Sequence, residues 1–136
     1  MKRKTRVLMV DDDPDYADSI RLILEAGGYE FHHAGDGKAG LAKAQKLLPD
    51  VIILDVVMNK QVAGFLFAKT LREAGGPLSK VPILILTGMR RQEGFVVPSS
   101  AGDPVFTPSD EFLEKPVKPV VLLKAIEELT TARKSG

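Results

Sequence analysis

The chain has 136 residues, 44% apolar and 27% charged, with a formal net charge of +1. That is enough for one domain with a proper core, and no global field points to nucleic acid or acidic membrane. Cysteine is absent, which excludes disulfides, thiolate catalysis and cysteine-ligated zinc. The basic start, Met1-Lys2-Arg3-Lys4, precedes an apolar run too short for a signal peptide, and no run reaches transmembrane length. A cytoplasmic chain is the expectation.

The first expected strand is Val7–Val10, which runs into Asp11, Asp12 and Asp13. Asp13 before Pro14 is an N-cap signal with proline at the first helical position. The helix it opens runs to Gly27-Gly28, with Tyr16, Ile20, Ile23 and Leu24 as its inward stripe. Glu30–Ala34 is a weaker strand candidate. It carries the two histidines, His32 and His33, which face opposite sides of a strand and so cannot chelate one metal together. Both are expected to be structural or exposed. Gly35-Asp36-Gly37 is a turn, and no Lys-Ser/Thr follows to make it a phosphate loop. A second helix is expected from about Lys38 to Leu48, stopped by Pro49.

Val51–Leu54 is the next strand and ends at Asp55. A third helix is expected from about Ala63 to Ala74, stopped by Gly75-Gly76-Pro77. Ile83–Leu86 is a strand ending at Thr87. Gly88–Asp110 is irregular, and Pro98, Pro104 and Pro108 leave room only for a short fourth helix near Arg90–Phe95. Glu111–Glu114 is a weaker strand that runs into Lys115. The last helix follows Pro119, with Val121, Leu122, Ala125, Ile126 and Leu129 on one side.

Strands and helices alternate five times, and the main strands are apolar without polar alternation. The expectation is an α/β fold, a doubly wound five-stranded parallel sheet with helices on both faces and a short or irregular fourth helix. In such a sheet all strand C-termini share one edge, where ligands bind. Four of the five expected strands bring a carboxylate, hydroxyl or ammonium there: Asp11 and Asp12, Asp55, Thr87 and Lys115. Two like charges about 4 Å apart cost roughly 4 kcal/mol at an effective dielectric near 20. A hard divalent cation relieves that cost, and oxygen-only ligands favour Mg²⁺. Lys115 relieves it from the other side. A carboxylate can also act as a nucleophile and form an acyl phosphate. Asp55, alone at the end of the central strand, is the candidate. Singly, Asp13 is a cap, Thr87 a loop start and Lys115 an exposed lysine; the set carries the inference.

These stretches resemble the receiver domains of two-component response regulators. The residues that carry the resemblance are Val7–Asp13, Pro49–Asp55, Ile83–Thr87 and Phe112–Pro116. The resemblance implies a flavodoxin-like strand order, 2-1-3-4-5, and Asp55 as the phosphorylation site. It implies Mg²⁺ held by Asp11, Asp12, Asp55 and the backbone carbonyl of Val57. Thr87 would be the switch hydroxyl, Phe112 the switch aromatic, Lys115 the phosphate-pairing lysine, and Lys115-Pro116 a cis peptide. The phosphoryl donor would be a histidine kinase or a histidine phosphotransfer protein. The chain would catalyse only its own phosphorylation and dephosphorylation, and would switch the surface around helix 4, strand 5 and helix 5 toward an unknown downstream protein. No direct contact with nucleic acid or membrane is expected, and a homodimer is left open.

Three features depart from the family pattern. Met58-Asn59 stands where Met-Pro is usual, with Gly64 nine residues beyond Asp55 rather than eight. The stretch from Thr87 to Lys115 is longer than usual and proline-rich. No output domain follows, so residues 1–136 are expected to be a single receiver domain, stand-alone or cut from a longer chain. Val57 and Met89, two residues after Asp55 and Thr87, are apolar and cannot orient a hydrolytic water, so a long-lived phosphoryl state is expected. Two rivals are weaker. A haloacid dehalogenase type phosphohydrolase would place Thr or Val where Asp15 stands and would leave Asp55 idle. A phosphorylation-independent interaction module would not need all five key residues.

Overall fold

The computed structural model describes residues 4–56, 67, 69–87, 111–114 and 117–135; for residues 55, 56, 77, 87, 112, 114 and 132–135 it describes the backbone only. The elements alternate as strand β1 (Arg6–Val10), helix α1 (Pro14–Ala26), β2 (Glu30–Ala34), α2 (Gly37–Leu47), β3 (Val51–Val56), β4 (Ile83–Thr87), β5 (Glu111–Glu114) and a C-terminal helix (Pro119–Ser135). Residues 67 and 69–73 are helical. The strands form one sheet in the order β2-β1-β3-β4-β5, and every pairing is parallel.

The unbroken apolar runs follow from burial on both faces. Leu8, Val10, Ile52, Leu54, Ile83 and Ile85 share one core with Ala44 of α2 and with Phe67 and Leu71 of the third helical segment. Their strand neighbours Val7, Met9, Val51, Ile53, Leu84 and Leu86 share the other with α1 and the C-terminal helix. A strand offers alternate side chains to opposite faces, so helices on both sides require both sets to be apolar. Each fully buried Leu or Ile contributes about 1.5–3 kcal/mol relative to exposure.

Local signals place the helix ends. Asp13 caps α1: its Oδ1 accepts from the N–H groups of Asp15 at 3.0 Å and Tyr16 at 3.2 Å. At the other end Gly28 sits at φ 92°, which lets the Tyr29 N–H return to the Leu24 carbonyl at 2.9 Å. Helix α2 starts one residue before its expected position because Asp36 caps it, accepting from the Ala39 N–H at 2.7 Å.

Two further features differ from expectation. Val121 is 42% exposed, so the inward stripe of the C-terminal helix consists of Leu122, Ala125, Ile126 and Leu129 without it. At about 100° per residue those four positions fall within an arc of roughly 100°, and Val121 lies outside it. A 3-10 turn at Gly76–Lys80 follows the third helical segment where glycine and proline had signalled only a stop. It buries Leu78, and the Arg72 guanidinium donates to the Val81 carbonyl at 2.7 Å across it. The expected short helix at Arg90–Phe95 and the start of the third helix at Ala63 lie outside the described residues.

Candidate functional site

The carboxyl edge of the sheet begins where β1 stops. The ladder to β2 continues one residue further, with the Asp11 N–H donating to the Ala34 carbonyl at 3.0 Å. Asp11 is 4% exposed, unusual for an aspartate, and its Oδ1 accepts from the Asp13 N–H at 3.1 Å. Asp12 and Asp13 are exposed. The three adjacent aspartates therefore differ in environment. Asp11 is buried at the strand end, Asp12 faces solvent beside it, and Asp13 caps α1.

Register places the other candidates. Val10 pairs with Leu54, so the residues that follow them, Asp11 and Asp55, are neighbours across adjoining strands. Adjacent strands lie about 4.8 Å apart. Asp55 pairs with Leu86, and Val56 with Thr87 at the end of β4. Thr87 in turn pairs with Glu114, the last residue of β5. The backbone of Asp11, Asp55, Thr87 and Glu114 thus shares one sheet edge. Phe112 pairs with Ile85 in the backbone register. The side chains of Asp55, Thr87 and Phe112 lie outside the described structure, as do Val57 and Met89, and as do Lys115, directly after β5, and Pro116.

A carboxylate as buried as Asp11 is costly unless its charge is met by hydrogen bonds or a cation. The donor chemistry of Asp11 and Asp12 is oxygen only, which fits a hard divalent ion. Among the described side chains these are two carboxylates of the expected set, and no group of three His, Cys, Asp or Glu forms a metal cluster there.

His33 joins this edge unexpectedly. Its half-buried Nε2 lies 2.6 Å from the Asp11 carbonyl oxygen. A carbonyl only accepts, so the ring nitrogen carries the proton and donates. The Lys43 ammonium on α2 donates to the His33 carbonyl and ties β2 to that helix. The other histidine behaves as expected: His32 Nε2 meets Glu30 Oε2 at 2.7 Å, away from the edge. What separates them is register. In the parallel pairing of β1 with β2, Met9 faces His33, two residues short of Asp11. Far from this edge, burial pushes the Tyr29 phenol above its ordinary value, with the charge of Glu127 as a second cause.

The response regulator receiver domain profile matches residues 7–127. The DNA-binding dual master transcriptional regulator RpaA of Synechocystis is 32% identical over 124 residues, which cover 91% of this chain and 48% of that protein. The DNA-binding response regulator MtrA of Mycolicibacterium smegmatis is 29% identical over 123 residues, 90% of this chain and 49% of that protein. The chain spans about half the length of these curated relatives. Chemotaxis protein CheY4 of Vibrio cholerae superposes with a TM-score of 0.77 at 35% identity, covering 93% of this chain and 99% of that one. A CheY-like receiver domain protein from Methanospirillum hungatei does so with a TM-score of 0.77 at 27% identity, covering 98% of this chain and 100% of that one. Parallel-sheet topology, an acidic carboxyl edge and these likenesses agree, and the chain belongs to the response regulator receiver domain family.

Proposed function

We propose that the chain is the phospho-acceptor of a two-component phosphorelay, with Asp55 as the acceptor. The observation that carries this reading is the shared edge: Asp11, Asp55 and Thr87 stand at the carboxyl ends of adjoining parallel strands. The donor is a histidine kinase or a histidine phosphotransfer protein. An Asp55 carboxylate oxygen attacks the phosphorus of phosphohistidine, the P–O bond forms as the P–N bond breaks, and the imidazole leaves with the electron pair. Phosphoryl transfer needs mainly positioning and neutralisation of the phosphoryl oxygens. Asp11, Asp12, Asp55 and the Val57 carbonyl would hold Mg²⁺, which when bound supplies positive charge to those oxygens. The Lys115 ammonium pairs with a second oxygen and the Thr87 hydroxyl donates to a third.

The chain turns over no external substrate; it promotes its own phosphorylation and dephosphorylation. Thr87 and Phe112 then shift the population of the surface around the segment after β4, β5 and the C-terminal helix. That surface meets a downstream protein. The DNA-binding named in the relatives belongs to those proteins. For this chain, at net charge +1, we propose no direct nucleic-acid contact, and we propose a cytoplasmic location. Among the described residues no helix is long and apolar enough to cross a membrane.

The test is labelling with a small-molecule phosphodonor and Mg²⁺, read by intact mass. The expected result is a gain of one phosphoryl group in the wild type and none in Asp55→Asn or without Mg²⁺. No gain in the wild type overturns the reading.

A further inference from the structure

We propose that His33 is a positioning residue for the acidic pair, acting through the main chain between Asp11 and Asp12. The inference rests on the reading of that pair as the Mg²⁺ site. Asp11 is held on three sides. Its N–H is bound to the Ala34 carbonyl at 3.0 Å, its Oδ1 receives the Asp13 N–H at 3.1 Å, and its carbonyl receives His33 Nε2 at 2.6 Å. The last contact differs in kind from the others, because the Asp11 carbonyl belongs to the peptide plane that leads into Asp12. The ring of His33 therefore sets the direction in which the chain leaves β1, and with it where the exposed Asp12 carboxylate stands relative to the buried Asp11.

The arrangement is built rather than incidental. His33 is half-buried on a strand whose own backbone is in the β1 ladder, and its carbonyl is tied to Lys43 of α2. The ring thus stands on a frame anchored from two elements. A histidine that orients a cation's ligands by a hydrogen bond fixes geometry rather than supplying a ligand. Removing it leaves every proposed ligand in place and loosens the pair. A divalent cation is sensitive to that loosening, because two carboxylates must be held near each other before it arrives, against their mutual repulsion.

The test is Mg²⁺ titration of the full chain by calorimetry at fixed pH, with thermal stability in EDTA measured alongside. His33→Phe keeps the ring's size and removes the donor; the expected result is an affinity about tenfold weaker. His33→Gln, which can still present an N–H, recovers part of the loss. His32→Phe, one residue away on the same strand, leaves Mg²⁺ affinity unchanged and controls for damage to β2. Affinity equal to wild type in His33→Phe, with Asp11→Asn clearly weakened, overturns the inference and leaves the Mg²⁺ reading standing. Equal affinity in wild type and Asp11→Asn overturns both. A loss in His33→Phe matched by an equal loss in His32→Phe also overturns the inference, since the effect then belongs to the strand.

Discussion

At the scale of single residues, Asp11, Asp12 and Asp13 show how adjacent identical side chains take different work. Asp13 is the cap that the following proline announces, and Asp13→Ala should cost about 1 kcal/mol of stability, measured by urea unfolding. Its phosphodonor labelling should persist, whereas Asp12→Asn should lose labelling with little change in the unfolding midpoint. The cap was legible because the N-cap signal is local: Asp then Pro, with the bonds closing within three residues. The role of His33 was not legible, because its partner lies 22 positions away and only strand register brings the two together. Apolar Val57 and Met89 should give a slowly decaying phosphoryl group; Val57→Asn with Met89→Glu should speed the loss of label in Mg²⁺. Unchanged decay would sink that expectation.

At the scale of elements, helix phase and close packing make sharper predictions than composition does. Leu122 is fully buried and Val121 is 42% exposed. Leu122→Ala should cost about 3 kcal/mol and Val121→Ala less than about 0.5 kcal/mol, both by denaturant unfolding. The apolar run Val120–Leu123 hid this phase, since four consecutive apolar residues fit more than one inward stripe. Helix α2 lies against β1 through Gly40, where an added Cβ would stand 2.8 Å from Val10 Cγ2 and 3.2 Å from Phe67 Cε1. Val10 is β-branched and sits in a strand, so it gives way poorly. Gly40→Ala gains about 1 kcal/mol of helix propensity but forces overpacking worth about 1–3 kcal/mol. The expected net is a loss of about 1 kcal/mol, and because Val10 directly precedes Asp11, weaker Mg²⁺ binding should accompany it. Increased stability in urea would show that the contact relaxes freely. Just before β2, burial holds the Tyr29 phenol above its ordinary titration range in the folded chain. Its stabilising contribution is complete below the ordinary tyrosine range and is lost as pH rises through the raised value, so Tyr29→Phe should flatten the alkaline decline of stability.

At the scale of the whole molecule, Mg²⁺ held at the acidic edge, as proposed above, would couple folding to cation binding. An ion that binds only the folded chain stabilises it by mass action, by about 1.4 kcal/mol at ten times its dissociation constant. For a chain of this length that is a rise in Tm of about 5 °C. The rise should vanish in EDTA and in Asp12→Asn; a rise of equal size in Asp12→Asn would place the ion elsewhere. The sequence by itself determined the parallel α/β fold, since continuous Val/Ile/Leu runs can be buried only between two helical layers. It also placed the backbone of Asp11, Asp55 and Thr87 at the carboxyl ends of their strands, because every strand in a parallel sheet ends on the same side. Only the tertiary structure decided how those neighbours are held. The burial of Asp11, the hydrogen bond that His33 sends to its carbonyl and the closeness of Gly40 to Val10 all depend on register and packing between segments far apart in the chain. No local pattern in the residues encodes those contacts.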